Sequence, residues 1–563
     1  MATKKTKLLV IGLDGATFDL LQPLMDAGHL PNLGAMMHRG SWGRLDSTIP
    51  PFTAAAWSTL ATGQNPGQHG VLSFRKRDHF NYDRQGSGFV DARQLGTTIW
   101  EIMGEASKEV GVVNVPLTYP ARPVNGFMIT GMLTPLQASH FTFPPEFANK
   151  LGEDYMIDVD FIRGQTGFRQ SGFPSKKEML APIQRMSQIR AKSCIRLLKE
   201  EPWDFFMVVF TSTDRISHFF WDDLESLLDE NLPRNQIEQT IQQDLLAYFH
   251  ELDSDLGQLM EIAGSSAHIM LMSDHGFGPS PTRRAYPNIW LEQIGLLKKR
   301  GVEGVGDLEY WRVLLSRQKR LKALVRRLLP QSTQQKVTTT SRASSSDIID
   351  WSQTQAYWVP IYFHVCGIEI NLKEERRNGI VAAGETYEAL RDQIIKASAQ
   401  FVDPSNGKCI VKSAVRREDL YSGPYVESFP DVILIFDPDY IGAESLAGSL
   451  LAEAHTPSRP GEHRQDGIFI AAGPSVEARG ELDNLRLVDV PATILHMMGL
   501  PIPSSFDGRV LTEIFDPAFL QTQPVRMHDV APDQLLPDTS ESAYSNEEEA
   551  QLGERLRGLG YLE

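Results

Sequence analysis

Residues 7–15 read KLLVIGLDG: an apolar run, Leu8–Leu13, that fits a buried strand and ends on Asp14. The arrangement recurs twice. Residues 204–218, DFFMVVFTSTDRISH, carry Asp214 and His218 past the run Phe205–Phe210. Residues 268–278, HIMLMSDHGFG, carry Asp274 and His275 past Ile269–Met272. Open α/β sheets gather their chemistry at the carboxyl ends of parallel strands. Three acidic loops after three such strands therefore point into one crevice. Further strands are predicted at Val110–Val115 and Phe127–Thr130, with helical periodicity at Phe18–Asp26, Ala54–Thr62, Gly96–Met103 and Leu180–Lys199. This alternation predicts an α/β fold, a mostly parallel central sheet flanked by helices on both faces.

With 563 residues, the chain holds a large core plus appended subdomains, and its 41% hydrophobic and 22% charged content is that of an ordinary globular protein. A net charge of −16 argues against a nucleic-acid polymer as partner, because phosphate-backbone contacts need clustered Lys and Arg. It is compatible with a small phosphorylated substrate, since bound metal ions reverse the local field. Cys194, Cys366 and Cys409 form no CxxC pair and no disulfide framework, which favours a reducing compartment. The opening MATKKTK is basic, but the apolar stretch after it is only a strand long, unlike a signal peptide. No apolar run approaches the ~20 residues of a membrane span. A cytoplasmic protein is expected.

Past Gly278 the texture changes. Residues 308–329, LEYWRVLLSRQKRLKALVRRLL, form a basic amphipathic stretch ended by Pro330, and a Ser/Thr-rich linker follows at 332–347. A helix over 309–329 reads first as a cap with a leucine underside and second as a face for an anionic membrane surface. Strands are predicted at Tyr362–Asn371, Cys409–Val415 and Val432–Phe436, with a helix at Tyr387–Ala399. The expected organisation is a catalytic core of 7–290 and 430–515, an insertion of 291–429 and a tail of 516–563. The insertion would hold the basic helix and a small mixed α/β subdomain. The Pro- and acid-rich tail is expected to wrap the surface. It would end in a docking helix capped by Asn546, with Leu552, Leu556 and Leu559 buried.

Residues 47–70, STIPPFTAAAWSTLATGQNPGQHG, place Thr53 at or near the N-cap of a helix that Gly63 ends. A capping threonine would contribute about 1 kcal/mol and nothing more. The same geometry suits a nucleophile: a helix N-terminus binds phosphate, and metal coordination lowers a hydroxyl pKa. Asp214 and His218 are four apart, on one side of a helical turn. His463 lies in GEHRQDGIFIAAGP (461–474), just before a strand. Mixed Asp and His ligation suits two divalent ions, Zn²⁺ first and Mn²⁺ second. Three carboxylates and one alkoxide would balance their charge.

Taken in order, LLVIGLDG, PPFTAAAWSTLATGQNPGQHG, TDRISH, MSDHGFG and GEHRQDGIF resemble the alkaline phosphatase superfamily, in its type I phosphodiesterase/nucleotide pyrophosphatase-like branch of phosphohydrolases and phosphomutases. VDVPATILHMMGLPIPSSFDGRVL (488–511) resembles that superfamily's closing core motif. The resemblance covers about residues 7–290 and 455–515. It implies an alkaline-phosphatase-like core, one metal on Asp14, Asp274 and His275 with Thr53 as a further ligand, and a second on Asp214, His218 and His463. It implies attack by Thr53, a phosphothreonine intermediate, and cleavage of a phosphodiester or phosphoanhydride. A phosphomonoesterase, a phosphomutase or a headgroup transferase at a membrane surface would use the same groups.

Two departures bear on specificity. Nucleotide pyrophosphatases carry an Asn shortly after the His-Gly pair; counting from Gln68-His69-Gly70, Phe74 stands there, with Arg75 and Arg77 as nearby substitutes. Ala54-Ala55-Ala56 follows Thr53 in place of the branch's Phe-Pro-Asn. Nucleotide specificity is therefore not inherited. A sulfatase would need Cys or Ser in a CxPxR-type context at the nucleophile, and PFTAAAW offers none.

Overall fold

In a computed structural model of the chain, residues 6–76, 88–159, 175–228, 236–300, 348–373, 375–376, 378–446, 448–454, 459–529 and 542–561 are described. The run that opens the sequence forms the strand Lys7–Leu13 at the middle of the main sheet. It pairs in parallel with Phe205–Phe210 on one side and Ala267–Met272 on the other. Val110–Val115 and Gly126–Thr130 extend the parallel series. Asp466–Ala472 then joins antiparallel beside Ala267–Met272 and carries Ser41–Asp46 on its far edge. Among the described residues the sheet has ten strands.

Alternation along the central strand feeds two cores. Leu9, Ile11 and Leu13 pack on one face, Leu8 and Val10 on the other. The first face is covered by Lys176–Glu200 and Gln236–Ala263, two long helices packed together. Ser175 and Glu178 start the former with a reciprocal capping box. The second face is covered by Thr53–Thr62, Ile99–Glu105 and Asp489–Met497. The helix expected at Gly96–Met103 begins later because Thr98 and Glu101 close a capping box there.

Close approach decides one residue of the opening motif. A Cβ on Gly12 would lie 2.5 Å from the Trp57 ring and 3.0 Å from Val209. Glycine lets the Thr53–Thr62 helix settle onto the sheet.

The second sheet is antiparallel, in the order Ala356–Tyr362, Val365–Ile370, Val432–Phe436, Val411–Arg416, and the helix Glu385–Ser398 packs on it. The strand expected at Tyr362–Asn371 is Val365–Ile370; Tyr362 instead closes the preceding strand Ala356–Tyr362, with Phe363 (φ 24°) and His364 as the turn between them. Val432–Phe436, grouped from sequence with the core, pairs inside this second sheet. Its alternate side chains Val432 and Leu434 share an apolar cluster with Trp290, Ile368 and Ile394. The basic stretch 309–329 lies outside the described residues. Among the described residues no helix is long and apolar enough to cross a membrane.

The C-terminal helix is Asn546–Gly558, with Leu552, Leu556 and Leu559 buried. Its N-cap is Ser545 rather than Asn546, because Ser545 accepts from Glu548 N while the Glu548 carboxylate returns to Ser545 N. The tail does not stay on the surface: its last described residue, Tyr561, is buried.

Two stability predictions follow from these packings. Gly12→Ala should cost about 1–3 kcal/mol through overpacking against Trp57, read by urea denaturation; a loss near zero would mean that Trp57 yields freely. His69 is buried, its Nδ1 accepting from Val71 N (3.1 Å) and its Nε2 3.0 Å from Thr59 Oγ1; burial lowers its pKa to about 3. The folded chain keeps this ring neutral while the unfolded chain protonates it near pH 6.5. Its contribution is therefore complete above pH 6.5 and is lost as the pH falls toward 3, by about 2 kcal/mol at pH 5. In His69→Gln the loss of unfolding free energy between pH 7.5 and pH 5 should shrink by about that amount. An unchanged loss would refute the assignment.

Candidate metal centre

The three acidic loops meet, as their strand ends require. Asp14 follows the central strand, Asp214 lies in the first turn of Ser212–Leu228, and Asp274 lies two residues past Met272. The loops are tied to one another. Asp14 N donates to Phe210 O (3.0 Å), Thr213 Oγ1 to Asp14 O (2.6 Å) and Ser273 Oγ to Ala16 O (2.9 Å). His463 comes from Gly461–Arg464, a strand antiparallel to Gly276–Pro279 that brings it opposite Phe277. Every one of Asp14, Thr53, Asp214, His218, Asp274, His275 and His463 is buried.

The carboxylates share one design. Asp14 Oδ2 accepts from Trp57 Nε1 (3.1 Å), Asp274 Oδ1 from Gly15 N (3.1 Å), and Asp214 Oδ2 from Tyr561 Oη (2.7 Å) and Arg215. In each, the other oxygen is buried without a hydrogen-bond partner: Asp14 Oδ1, Asp274 Oδ2 and Asp214 Oδ1. The histidines complement this. Nδ1 of His275, His218 and His463 lies 3.1, 3.0 and 3.1 Å from the carbonyls of Gly276, Gly461 and Pro51. A carbonyl only accepts, so Nδ1 carries the proton, and at His275 and His463 an unprotonated Nε2 faces the centre. Arg459 Nε also approaches His218 Nδ1, at 2.9 Å, and its Nη2 lies 2.7 Å from Nε2. A guanidinium only donates, so His218 Nε2 accepts from Arg459 Nη2 and Nδ1 carries the proton toward Gly461 O.

The candidate ligand atoms crowd into overlapping groups, Asp214 and His463 also standing with His275. Asp214 Oδ1, His218 Nε2 and His463 Nε2 stand 3.4, 3.2 and 3.0 Å apart. An ion held tetrahedrally at ~2.0–2.1 Å needs its ligand atoms about 3.3 Å apart, so this group fits one. His275 Nε2 lies 3.2 Å from Asp274 Oδ2 and 3.7 Å from Asp14 Oδ1, and Asp14, Asp274 and His275 form the second group. Glu462 also lies near His218 and His463, but its Oε1 already accepts from Tyr362 Oη (2.5 Å) and His463 N (3.0 Å).

Thr53 is the first residue of its helix, and Phe52 is the N-cap. The threonine hydroxyl makes no capping hydrogen bond; it lies 3.3 Å from His275 Nε2. A purely capping role is thereby removed, and the helix N-terminus faces the centre without a side-chain cap.

Burial and the neighbouring carboxylates Asp274 and Asp214 push the Asp14 carboxyl well above its ordinary range. Burial likewise raises Asp274, against the hydrogen bond from Gly15. Burial also acts to raise Asp214, but His218, Arg215 and His463 outweigh it and hold this carboxyl well below the usual value. Burial, before any other cause, drives His218 and His275 well below theirs.

Arg75 does not reach the centre: its guanidinium lies over Phe89, near Glu549 and Arg557 of the C-terminal helix. Arg77 lies outside the described residues. Phe74 is buried between Phe52 and Tyr561 (ring centroids 4.8 and 5.3 Å). Sequence reasoning missed Trp57, Arg215, Arg459, Glu462, Tyr362 and Tyr561. Trp57 and Arg215 had a signal, one helical turn from Thr53 and next to Asp214; Tyr561 had none.

A family model, type I phosphodiesterase / nucleotide pyrophosphatase, matches residues 8–458. The chain belongs to this family. Its members are phosphoric ester hydrolases. A search of curated proteins returns no match. Among solved structures, phosphonoacetate hydrolase from Sinorhizobium meliloti is 14% identical, with 86% of this chain and 94% of that one covered at a TM-score of 0.47. The human ectonucleotide pyrophosphatase/phosphodiesterase 5 is 14% identical (92% and 99% covered, TM-score 0.43) and the murine protein 12% (91% and 100%, 0.45). These likenesses are distant, and the family assignment rests on the sequence match.

Because Asp14 and Asp274 hold their protons to higher pH than ordinary carboxyls, a divalent ion such as Zn²⁺ bound there would displace them. Zn²⁺ uptake should release protons and strengthen as the pH rises. Calorimetry in two buffers of different ionisation enthalpy reads this, and a heat independent of buffer would contradict it.

Proposed function

We propose that this chain is a two-metal phosphohydrolase that opens a phosphodiester or phosphoanhydride through a phosphothreonine on Thr53. One observation carries the reading. Three buried carboxylates each turn an unpartnered oxygen, and His275 and His463 an unprotonated Nε2, toward one space beside a threonine hydroxyl that does not cap its own helix, with His218 Nε2 next to them on Arg459.

Asp14, Asp274 and His275, with Thr53, would hold one ion, and Asp214, His218 and His463 the other; Zn²⁺ suits this donor set, with Mn²⁺ second. When bound, the ions supply positive charge that lowers the pKa of the Thr53 hydroxyl and offsets charge on the phosphoryl oxygens. The protein positions the rest. Thr53 Oγ forms the bond to phosphorus while the P–O bond to the leaving group breaks. Water then cleaves the phosphothreonine, restoring the hydroxyl and releasing phosphate or a phosphomonoester. The N–H groups of the first turn after Phe52 face the phosphoryl oxygens. Phe74, where the branch's nucleotide enzymes carry Asn, packs between aromatic rings and donates nothing, which supports a small substrate other than a nucleotide.

The test is hydrolysis of bis-p-nitrophenyl phosphate and p-nitrophenyl phosphate with Zn²⁺ or Mn²⁺, parent beside Thr53→Ala. Diester cleavage that falls on the order of 10³-fold or more in the variant is expected. Cleavage of the monoester alone would move the assignment to a phosphomonoesterase or phosphomutase. Activity that survives in Thr53→Ala would remove the nucleophile.

A further inference from the structure

The last described residue, Tyr561, reaches the centre of the molecule. The C-terminal helix closes with a left-handed Gly560 (φ 81°), Gly560 N donating to Arg557 O (3.1 Å) and Tyr561 N to Leu556 O (2.8 Å). This pair of hydrogen bonds is a Schellman closure, and it sets the direction of the residue after the glycine. Gly560 has a second reason to be glycine: a Cβ there would lie 2.6 Å from Arg459, whose Nη1 donates to Gly560 O. Leu552, Leu556 and Leu559 are buried, and Arg555 Nη2 donates to Thr134 O (3.0 Å). The helix is thus docked along its length, and its closure aims Tyr561 inward.

Tyr561 then meets a built environment. Its ring packs edge-on against Phe52 and Phe74 (centroids 5.9 and 5.3 Å) and lies between the guanidinium groups of Arg215 and Arg459 (5.3 and 5.4 Å). Its hydroxyl donates to Asp214 Oδ2 (2.7 Å) and accepts from Arg215 Nη1 (2.7 Å). Arg215 is itself fixed on its far side by Asp158 Oδ2 (2.6 Å). Asp214 Oδ2 is consequently held by two donors, while Oδ1 has no hydrogen-bond partner and stands beside Nε2 of His218 and His463.

We propose that Tyr561 is a positioning residue for Asp214, and that the group Asp214, His218 and His463 binds its metal tightly only while the C-terminal helix is docked. The inference rests on the two-metal reading above. Its physical content is orientation. A carboxylate with both oxygens free samples several rotations, whereas one with Oδ2 pinned by a tyrosine and an arginine presents Oδ1 at one place. Donors behind a metal ligand typically account for about 10- to 100-fold in affinity. The opposite group has its own pins, Trp57 on Asp14 and the Gly15 amide on Asp274, and is independent of the tail.

The test measures metal directly. Full-length parent, Tyr561→Phe and Asp214→Asn are stripped of metal and titrated with Zn²⁺ against a chromophoric chelator, then with Co²⁺ to follow its visible absorption. Tyr561→Phe keeps the ring and its packing and loses only the hydroxyl. It should bind the first equivalent like the parent and the second about 10- to 100-fold more weakly. The Co²⁺ band of the second equivalent should also shift, while the thermal midpoint of the metal-free protein stays within a degree or two of the parent's. A variant that binds both equivalents as the parent does, with the same spectrum, overturns the role of Tyr561 and leaves the two-metal reading intact. A parent that binds fewer than two ions, indistinguishable from Asp214→Asn, overturns that reading and this inference with it.

Discussion

Like charges confined in a water-poor crevice set the terms for everything built around them. Asp14, Asp214 and Asp274 are buried close together, Asp274 and Asp214 raising the Asp14 carboxyl and Asp214 that of Asp274. In a low-dielectric interior such a group ionises only against compensating positive charge. The structure meets half of this requirement from its own groups, with Arg215, Tyr561, Trp57 and the Gly15 amide each occupying one carboxylate oxygen. The other half is left to three inward-facing oxygens and three inward-facing imidazole nitrogens. A purely structural cluster would have no reason to leave the three oxygens unpaired.

That constraint accounts for the architecture beside the site. Strand ends must lie level, which the parallel pairing of Lys7–Leu13 with both Phe205–Phe210 and Ala267–Met272 provides. The helix bearing Thr53 must sit tight on the sheet, which Gly12 permits and the Trp57–Asp14 hydrogen bond fixes. The appended parts are also drawn in. Tyr362, from the second sheet, holds Glu462 next to His463 and packs on Phe52 (4.5 Å), and Tyr561 holds Asp214. An aromatic wall of Phe52, Phe74, Tyr362 and Tyr561 therefore stands beside Thr53, built from three widely separated stretches of chain.

Much of the core was legible because burial leaves a pattern that local sequence carries. Strands such as Phe205–Phe210 and Val110–Val115 are nearly continuous apolar runs, as parallel strands covered on both faces must be. Boundaries were less legible, since a cap can move an end by a residue or more. Ser545 displaced Asn546 because it could exchange hydrogen bonds with Glu548, and Phe52 rather than Thr53 occupies the N-cap. The turn at Phe363 was hidden inside an apolar stretch that reads equally well as one long strand.

By itself, the sequence determined the strand runs, the acidic residues at their ends, the Asp-x-x-x-His spacing on one helix, and the family to which these belong. All are local or ordered along the chain, and periodicity and motif order report them. Only the tertiary structure decided which carboxylate oxygen is free, which imidazole nitrogen faces inward, that Thr53 spends its hydroxyl on the centre, and that Tyr561 touches Asp214 across 347 residues. Hydrophobic spacing says that a helix face is buried; it does not say against what. The partner of a buried polar atom depends on the path of the whole chain.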